Sequence, residues 1–241
     1  MMKQSVLPNE EKETTNPMRT TILLIRHGET DWNMIGRWQG HADVPLNAIG
    51  LQQAELVANR LATEGRRFDA IYSSDLARAS ETARAIGAAT KVDVQLLPSL
   101  REIDLGAWSG LTYEEIKAKF PEEIALLDQN IDMPRGGGES LSDLRNRVVE
   151  AVTALGNAHP GQTLAVVTHG GCIRMLLAHA DNYAGDGFKR FPHIGNTSIS
   201  VIEVQGDHWT MSLVNDMSHL TATNEAELIS APPDDAEQPA L

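Results

Sequence analysis

The chain is short of several things, and each shortage excludes something. It has one cysteine, Cys172, in 241 residues, so no intramolecular disulfide can form. No apolar run approaches the roughly 18 residues of a membrane helix, and the most hydrophobic stretches are strand-sized. Basic residues are in the minority, 20 Lys and Arg against 33 Asp and Glu, a formal charge of −13. A nucleic-acid backbone is gripped by clustered Lys and Arg, so neither a nucleic acid nor a membrane is expected as partner. The first 16 residues lack the apolar core of a secretory signal, which leaves the cytoplasm as the expected location. No repeat of fixed period is found.

Much of the negative charge sits at one end. Residues 221–241 carry Glu225, Glu227, Asp234, Asp235 and Glu237 with no Lys or Arg, plus Pro232-Pro233. Residues 1–18 are polar and aperiodic. Both read as disordered tails around one folded unit, residues 19–220. Within it, strand and helix patterns alternate. Residues 20–26 and 163–168 read as buried strands, with 68–72 and 92–97 as two further strands. Leu51, Ala54, Ala58 and Leu61 mark a helix, as do Leu76, Ala79, Ala83 and Ile86 after Ser73-Ser74-Asp75, which resembles a helix cap. Ser140 and Asp143 open another helix in capping-box fashion, with Leu141, Leu144, Val148, Val152 and Leu155 on its inner face. Residues 113–128 read as one charged helical stretch, and Gly136-Gly137-Gly138 as a hinge rather than a phosphate cradle. Residues 197–204 and 208–214 form a hairpin turning at Gly206-Asp207. The expected fold is α/β: three layers, a mostly parallel central sheet with helices on both faces.

Two segments share one grammar. The strand at 20–26 runs into His27-Gly28, and the strand at 163–168 into His169-Gly170-Gly171. Open α/β sheets bind ligands beyond the carboxyl ends of their strands, where helix N-termini favour anions. Arg26 and Arg78 reach the same rim, and Arg101-Glu102 follows the third strand. Arg78 stands in a helix first turn, where a cation opposes the dipole and an anionic ligand would account for it. An ion pair with Asp75 or Glu81 is the plainer explanation. Arginine holds phosphate oxygens bidentately, a neutral imidazole is a nucleophile, and a carboxyl group can protonate a leaving oxygen and then activate water. The set suits phosphoryl transfer through a phosphohistidine. The histidines lack the short paired spacing of a zinc site, so neither metal nor cofactor is expected. Cys172 reads as a small buried residue, His193 as lying near the rim, and the other histidines as structural.

Arg26-His27-Gly28-Glu29-Thr30 with Asn33, then Leu100-Arg101-Glu102 with Gly106, then Thr168-His169-Gly170, resemble the histidine phosphatase superfamily, the phosphoglycerate mutase-like group, over residues 19–215. The resemblance implies that His27 is the nucleophile and that Arg26, Arg78, His169 and the Gly170 N–H bind the phosphate, with Asn33 and Gln39 in the same pocket. It makes Glu102 the general acid and base, in preference to Asp104 two residues on. The segment Ile103-Asp104-Leu105-Gly106-Ala107-Trp108-Ser109-Gly110-Leu111 is similar to the phosphatase branch, which includes broad-specificity and α-ribazole phosphatases. The expected partner is a small phosphorylated metabolite, with monomer and homodimer both open. The cap, about 111–138, and residues 188–195 are expected to set specificity. The segment 111–134 is acidic, Lys117 and Lys119 standing against Glu114, Glu115, Glu122, Glu123, Asp128 and Asp132, which disfavours a doubly phosphorylated intermediate. The alternatives are a cofactor-dependent phosphoglycerate mutase and a phosphate-binding protein without catalysis.

Overall fold

The computed structural model describes residues 18–220; the two expected tails lie outside the described residues. In chain order the elements are β1 (Thr20–Arg26), α1 (Asp31–Met34), α2 (Ala48–Thr63), β2 (Ala70–Ser73), α3 (Ala77–Thr90), β3 (Val94–Leu96), α4 (Tyr113–Lys119), α5 (Pro121–Asp128), α6 (Leu141–Ala158), β4 (Thr163–Thr168), α7 (Gly170–Ala180), α8 (Gly187–Arg190), β5 (Ile199–Gln205) and β6 (His208–Asp216).

The strands form one sheet in the order β3-β2-β4-β1-β5-β6. β3, β2, β4 and β1 run parallel, β5 runs antiparallel to β1, and β6 returns antiparallel along β5. Strand alternation divides the core into the two faces expected for three layers. Ile22 and Leu24 of β1 face a cluster built with Leu144, Val148 and Val152 of α6 and Ile173 and Leu176 of α7. Leu23 and Ile25 face the other way, onto Val57 and Leu61 of α2 and Ala79, Ala83 and Ile86 of α3. Burying both faces explains why these strands read as continuous apolar runs.

Several local expectations are corrected. The helical stretch at 113–128 is two helices, because Pro121 cannot continue α4 and instead opens α5. Gly136–Gly138 is no hinge. A Cβ at Gly138 would stand 2.2 Å from Asp104 O, and one at Gly106 would stand 2.2 Å from Gly136 O, so two backbones pack directly against each other. Ser73-Ser74-Asp75 does not cap α3. Its N-cap is Leu76, without a side-chain bond, and the Ala77 N–H is taken by Asp43 Oδ1 at 2.6 Å. Ser74 and Asp75 have tertiary partners instead, His169 and Arg101. The Ser140–Asp143 capping box is present, with Asp143 N–H on Ser140 Oγ and Ser140 N–H on Asp143 Oδ2.

Candidate active site

Parallel pairing assembles the site. Arg26 at the end of β1 is in register with Thr168 at the end of β4, so His27 and His169 leave the sheet side by side, with His27 N–H on Thr168 O at 3.0 Å. Their rings lie 5.2 Å apart, tilted by 60°. β2 is one strand beyond, and Ser73 pairs with Val167, which brings the Ser74 hydroxyl to 2.9 Å from His169 Nε2.

The two histidines are held differently. His27 Nδ1 donates to Gly28 O at 2.6 Å, which fixes the tautomer and leaves Nε2 with its lone pair. His169 is engaged through Nε2, and its Nδ1 is buried without a hydrogen-bond partner among the described residues. Burial pushes both imidazoles well below their ordinary range, and the charges of Arg78 and Arg26 push further in the same direction. Both rings are therefore neutral at pH 7, as a nucleophilic nitrogen requires.

A pocket of about 70 Å³ opens at this rim. Of the residues expected there, Arg26, His27, Gln39, Arg78, Glu102 and Gly170 line it. Arg78 is almost wholly buried, and its guanidinium donates to Gly40 O and Ala42 O, which turns it toward the loop bearing Gln39. The ion-pair alternative does not hold: Asp75 pairs with Arg101 and Glu81 accepts the Leu46 N–H. Gln39 Oε1 is buried without a partner among the described residues. His169 and Asn33 stand behind the lining. The Asn33 amide oxygen accepts from the N–H and hydroxyl of Thr30, so this side chain builds the capping box of α1. His193 is an exposed residue beside the site and does not line the pocket.

Sequence reasoning did not single out Arg37, Trp38 or Arg174, which line the pocket; Gly171, of the His169-Gly170-Gly171 turn, and Phe188, in the segment expected to set specificity, line it as well. Arg174 is 2% exposed, gives Nε to Phe191 O and Nη2 to Pro192 O, and stacks over the Phe188 ring at 4.8 Å. Arg26 Nη1 donates to Ile194 O at 2.6 Å, so one loop orients two guanidinium groups. A cation inside an otherwise apolar helix, Cys172-Ile173-Arg174-Met175-Leu176-Leu177, was the available signal. Four arginines thus meet at the pocket against one carboxylate, Glu102, which makes it a site for anions. The segment 111–134 contributes no lining residue to it. That segment reaches the site through Glu115, 2.8 Å from Arg37.

Glu102 is fixed at both ends. Its Oε2 accepts the Gly171 N–H at 2.9 Å and its Oε1 accepts the Ile103 N–H at 2.9 Å. A Cβ at Gly171 would stand 2.4 Å from Oε1, so the glycine makes room for the carboxylate. The Glu102 carbonyl accepts from His41 Nε2 and Arg147 Nη2. Arg147 also donates to Ser99 O and Arg101 O and pairs twice with Glu139, whose Oε2 accepts the Asp104 N–H. Asp104 does not line the pocket, and its carboxylate accepts the Gly106 N–H to close a turn. Burial raises the Cys172 thiol far above its ordinary range, which keeps it protonated and unreactive. Among the described residues no group of three or more His, Cys, Asp or Glu could hold a metal ion, and no helix is long and apolar enough to cross a membrane.

The sequence model of the histidine phosphatase superfamily (branch 1) matches residues 22–217. The chain belongs to that superfamily. It is 43% identical over 207 residues to the phosphoglycerate mutase-like protein 4 of Arabidopsis thaliana, covering 84% of this chain and 87% of that protein. It is 36% identical to the metal-independent phosphoserine phosphatase of the same plant, covering 84% of each chain. Among solved structures, the phosphoserine phosphatase of Entamoeba histolytica in complex with 3-phosphoglyceric acid aligns with a TM-score of 0.73 at 30% identity, covering 83% of this chain and 99% of that one. The fold and family expected from the motifs are both borne out, and the chain is a histidine-type phosphatase.

Proposed function

We propose that this phosphatase hydrolyses small phosphomonoesters that carry a carboxylate, through a phosphohistidine on His27. The observation that carries the reading is the charge of the pocket: Arg26, Arg37, Arg78 and Arg174 line it against Glu102, with Glu115 paired to Arg37 from outside the lining. A phosphoryl group needs fewer cations than that. Arg26 and Arg78, beside His27, take the phosphate, and Arg37 and Arg174, which line the same pocket, face a second anionic group on the leaving moiety. Two relatives bear names consistent with such substrates, a phosphoserine phosphatase and a structure holding 3-phosphoglyceric acid.

Chemically, His27 Nε2 forms the N–P bond as the ester O–P bond breaks. The leaving oxygen takes its proton from Glu102. The Glu102 carboxylate then accepts a proton from the attacking water, the N–P bond breaks, and phosphate leaves with His27 restored. The guanidinium groups stabilise the equatorial oxygens, the role that a divalent ion plays in other phosphoryl transfers.

The alternative, a cofactor-dependent mutase, draws support from the name of one relative. It is disfavoured by residues 103–111, which are similar to the phosphatase branch. One assay separates the readings: phosphate release and isomer formation measured from phosphoserine, 3-phosphoglycerate and glycerol 3-phosphate, with and without EDTA. The expected result is phosphate release unaffected by EDTA, with kcat/KM for both carboxylates at least about tenfold above glycerol 3-phosphate. Equal rates for the three would overturn the carboxylate assignment. Isomerisation outrunning hydrolysis would establish the mutase.

A further inference from the structure

A second cavity, of about 310 Å³, opens between the end of α5, the start of α6, α7 and the loop into α8. It shares no lining residue with the phosphate pocket, although α7 and α8 present adjacent residues to the two, Arg174 and Met175, Phe188 and Lys189. Its size falls within the range of small-molecule sites, roughly 300–1,000 Å³.

Its charged groups are satisfied unequally. Arg135, 1% exposed, gives Nη1 to Asp132 Oδ1 and Met133 O, both at 2.7 Å, while its Nε is buried without a partner. Asp132 is consumed by the fold, since its carboxylate also accepts the Leu141 and Ser142 N–H groups. Asp186 takes the Phe188 N–H on Oδ1, and its Oδ2 is buried without a partner. Arg145 donates to the carbonyls of Tyr183 and Gly185, and Lys189 to the amide oxygen of Asn130, so these two cations bond neutral oxygens. One cavity therefore holds a buried acceptor on an acidic side chain, a buried guanidinium donor and two further cations. Leu141 and Met175 supply apolar wall.

We propose that this cavity binds a free α-amino acid with an apolar side chain. The ammonium meets Asp186 Oδ2, the carboxylate meets Arg145, Lys189 and Arg135 Nε, and the side chain lies against Leu141 and Met175. A simple anion would leave the Asp186 Oδ2 acceptor without a donor, and a simple cation would face three positive groups.

The test is calorimetric titration of the full chain with L-leucine, 4-methylpentanoate, which lacks the ammonium, and L-leucinamide, which lacks the carboxylate. Leucine is expected to bind saturably and each analogue at least about tenfold more weakly. Orthovanadate, placed in the phosphate pocket, is expected to leave leucine binding unchanged. Asp186→Asn retains a helix-capping side chain and should erase the preference for leucine over 4-methylpentanoate. Arg145→Gln, at a half-buried position, should narrow the preference over leucinamide, since Lys189 and Arg135 remain. No saturable binding of leucine, equal binding of 4-methylpentanoate, or displacement by orthovanadate would each overturn the proposal. The analogue series decides even if one variant fails to fold. It also does so independently of phosphatase activity, so its failure is distinct from failure of the proposed function.

Discussion

The two strand–His–Gly junctions begin with the same letters and end with different chemistry. After β1 the chain makes a loop, and the short α1 begins only at Asp31. His27 is turned by its own neighbour, with Nδ1–H on Gly28 O, and Nε2 is left for the phosphorus. After β4 the helix follows at once, with His169 as the N-cap of α7, and the ring is held from across the sheet by Ser74. Here Nδ1 is the atom left without a partner. On the proposed function, one motif supplies a nucleophile in one place and a phosphate ligand in the other. The partner of the second ring nitrogen decides which.

The sharpest way to break this contrast is to remove each ring in turn. His27→Ala is expected to lower kcat on the order of 10⁴-fold or more and to abolish the acid-labile, base-stable adduct trapped by denaturing quench with labelled substrate. His169→Ala takes away one ligand of the transferring group and is expected to cost about 10²–10³-fold while the adduct still forms. An adduct that survives in His27→Ala and vanishes in His169→Ala would reverse the assignment.

A smaller effect is expected from the carboxylate. Glu102→Gln keeps shape and removes the proton, so kcat should fall by about 10²–10⁴-fold. The loss should shrink with p-nitrophenyl phosphate, whose leaving group needs little protonation, where transfer to His27 limits the rate. Asp104→Asn keeps a side chain that can still cap the Gly106 N–H and should cost little with either substrate. A crippled Asp104→Asn beside a nearly silent Glu102→Gln would show that the wrong carboxylate had been chosen.

Smaller again is the expected effect of Ser74→Ala. For His169 to donate to a phosphoryl oxygen through Nδ1, Nε2 must accept, so the Ser74 hydroxyl must donate to it. Without that hydroxyl the two neutral tautomers mix. A loss of about tenfold or less in kcat/KM is expected. The ¹⁵N shifts of His169 should move from one tautomer to an average. Unchanged shifts would mean that the hydroxyl does not set the tautomer.

The parts of this design legible in the sequence are those set by local pattern. The buried strands, the inner face of α6, the Ser140 cap and the two His-Gly turns all follow from spacing along one element. The parts that were missed depend on which elements meet. Ser74 and Asp75 look like caps of α3, but the Ser74 hydroxyl reaches only the Leu76 N–H ahead of the helix while bonding His169, and Arg101 claims Asp75. Gly136–Gly138 looks flexible, and only the approach of the Asp104–Gly106 backbone makes it tight. Arg174 was passed over in its apolar helix, because only the distant loop at 191–192 supplies the carbonyls that orient it. Arg147 and Glu139, which hold the segment bearing Glu102, lie some forty residues beyond it, with no local signature at all.

The smallest expected effect tests the one property both histidines share, burial without charge. In the unfolded chain an imidazole titrates near 6.5, whereas His27 and His169 titrate well below that when folded. Between the two values the unfolded chain binds more protons than the folded one. Stability is therefore fully present above pH 6.5 and is lost as pH falls below it, by up to about 1.4 kcal/mol per pH unit for each histidine. His219, buried beside Arg60 and lowered to about 4, adds a slope in the same direction over the same window, and so serves as an internal control that does not line the phosphate pocket. Asp132 and Asp216, each lowered to about 2, lose their contributions only below their unfolded value of 3.8, outside that window. Urea unfolding between pH 7 and pH 5 should thus show a slope that His27→Asn, His169→Asn and His219→Asn each reduce by a similar amount. A slope that only His219→Asn reduces would mean that the two rings at the rim are not held neutral, and the nucleophile assignment would lose its electrostatic basis.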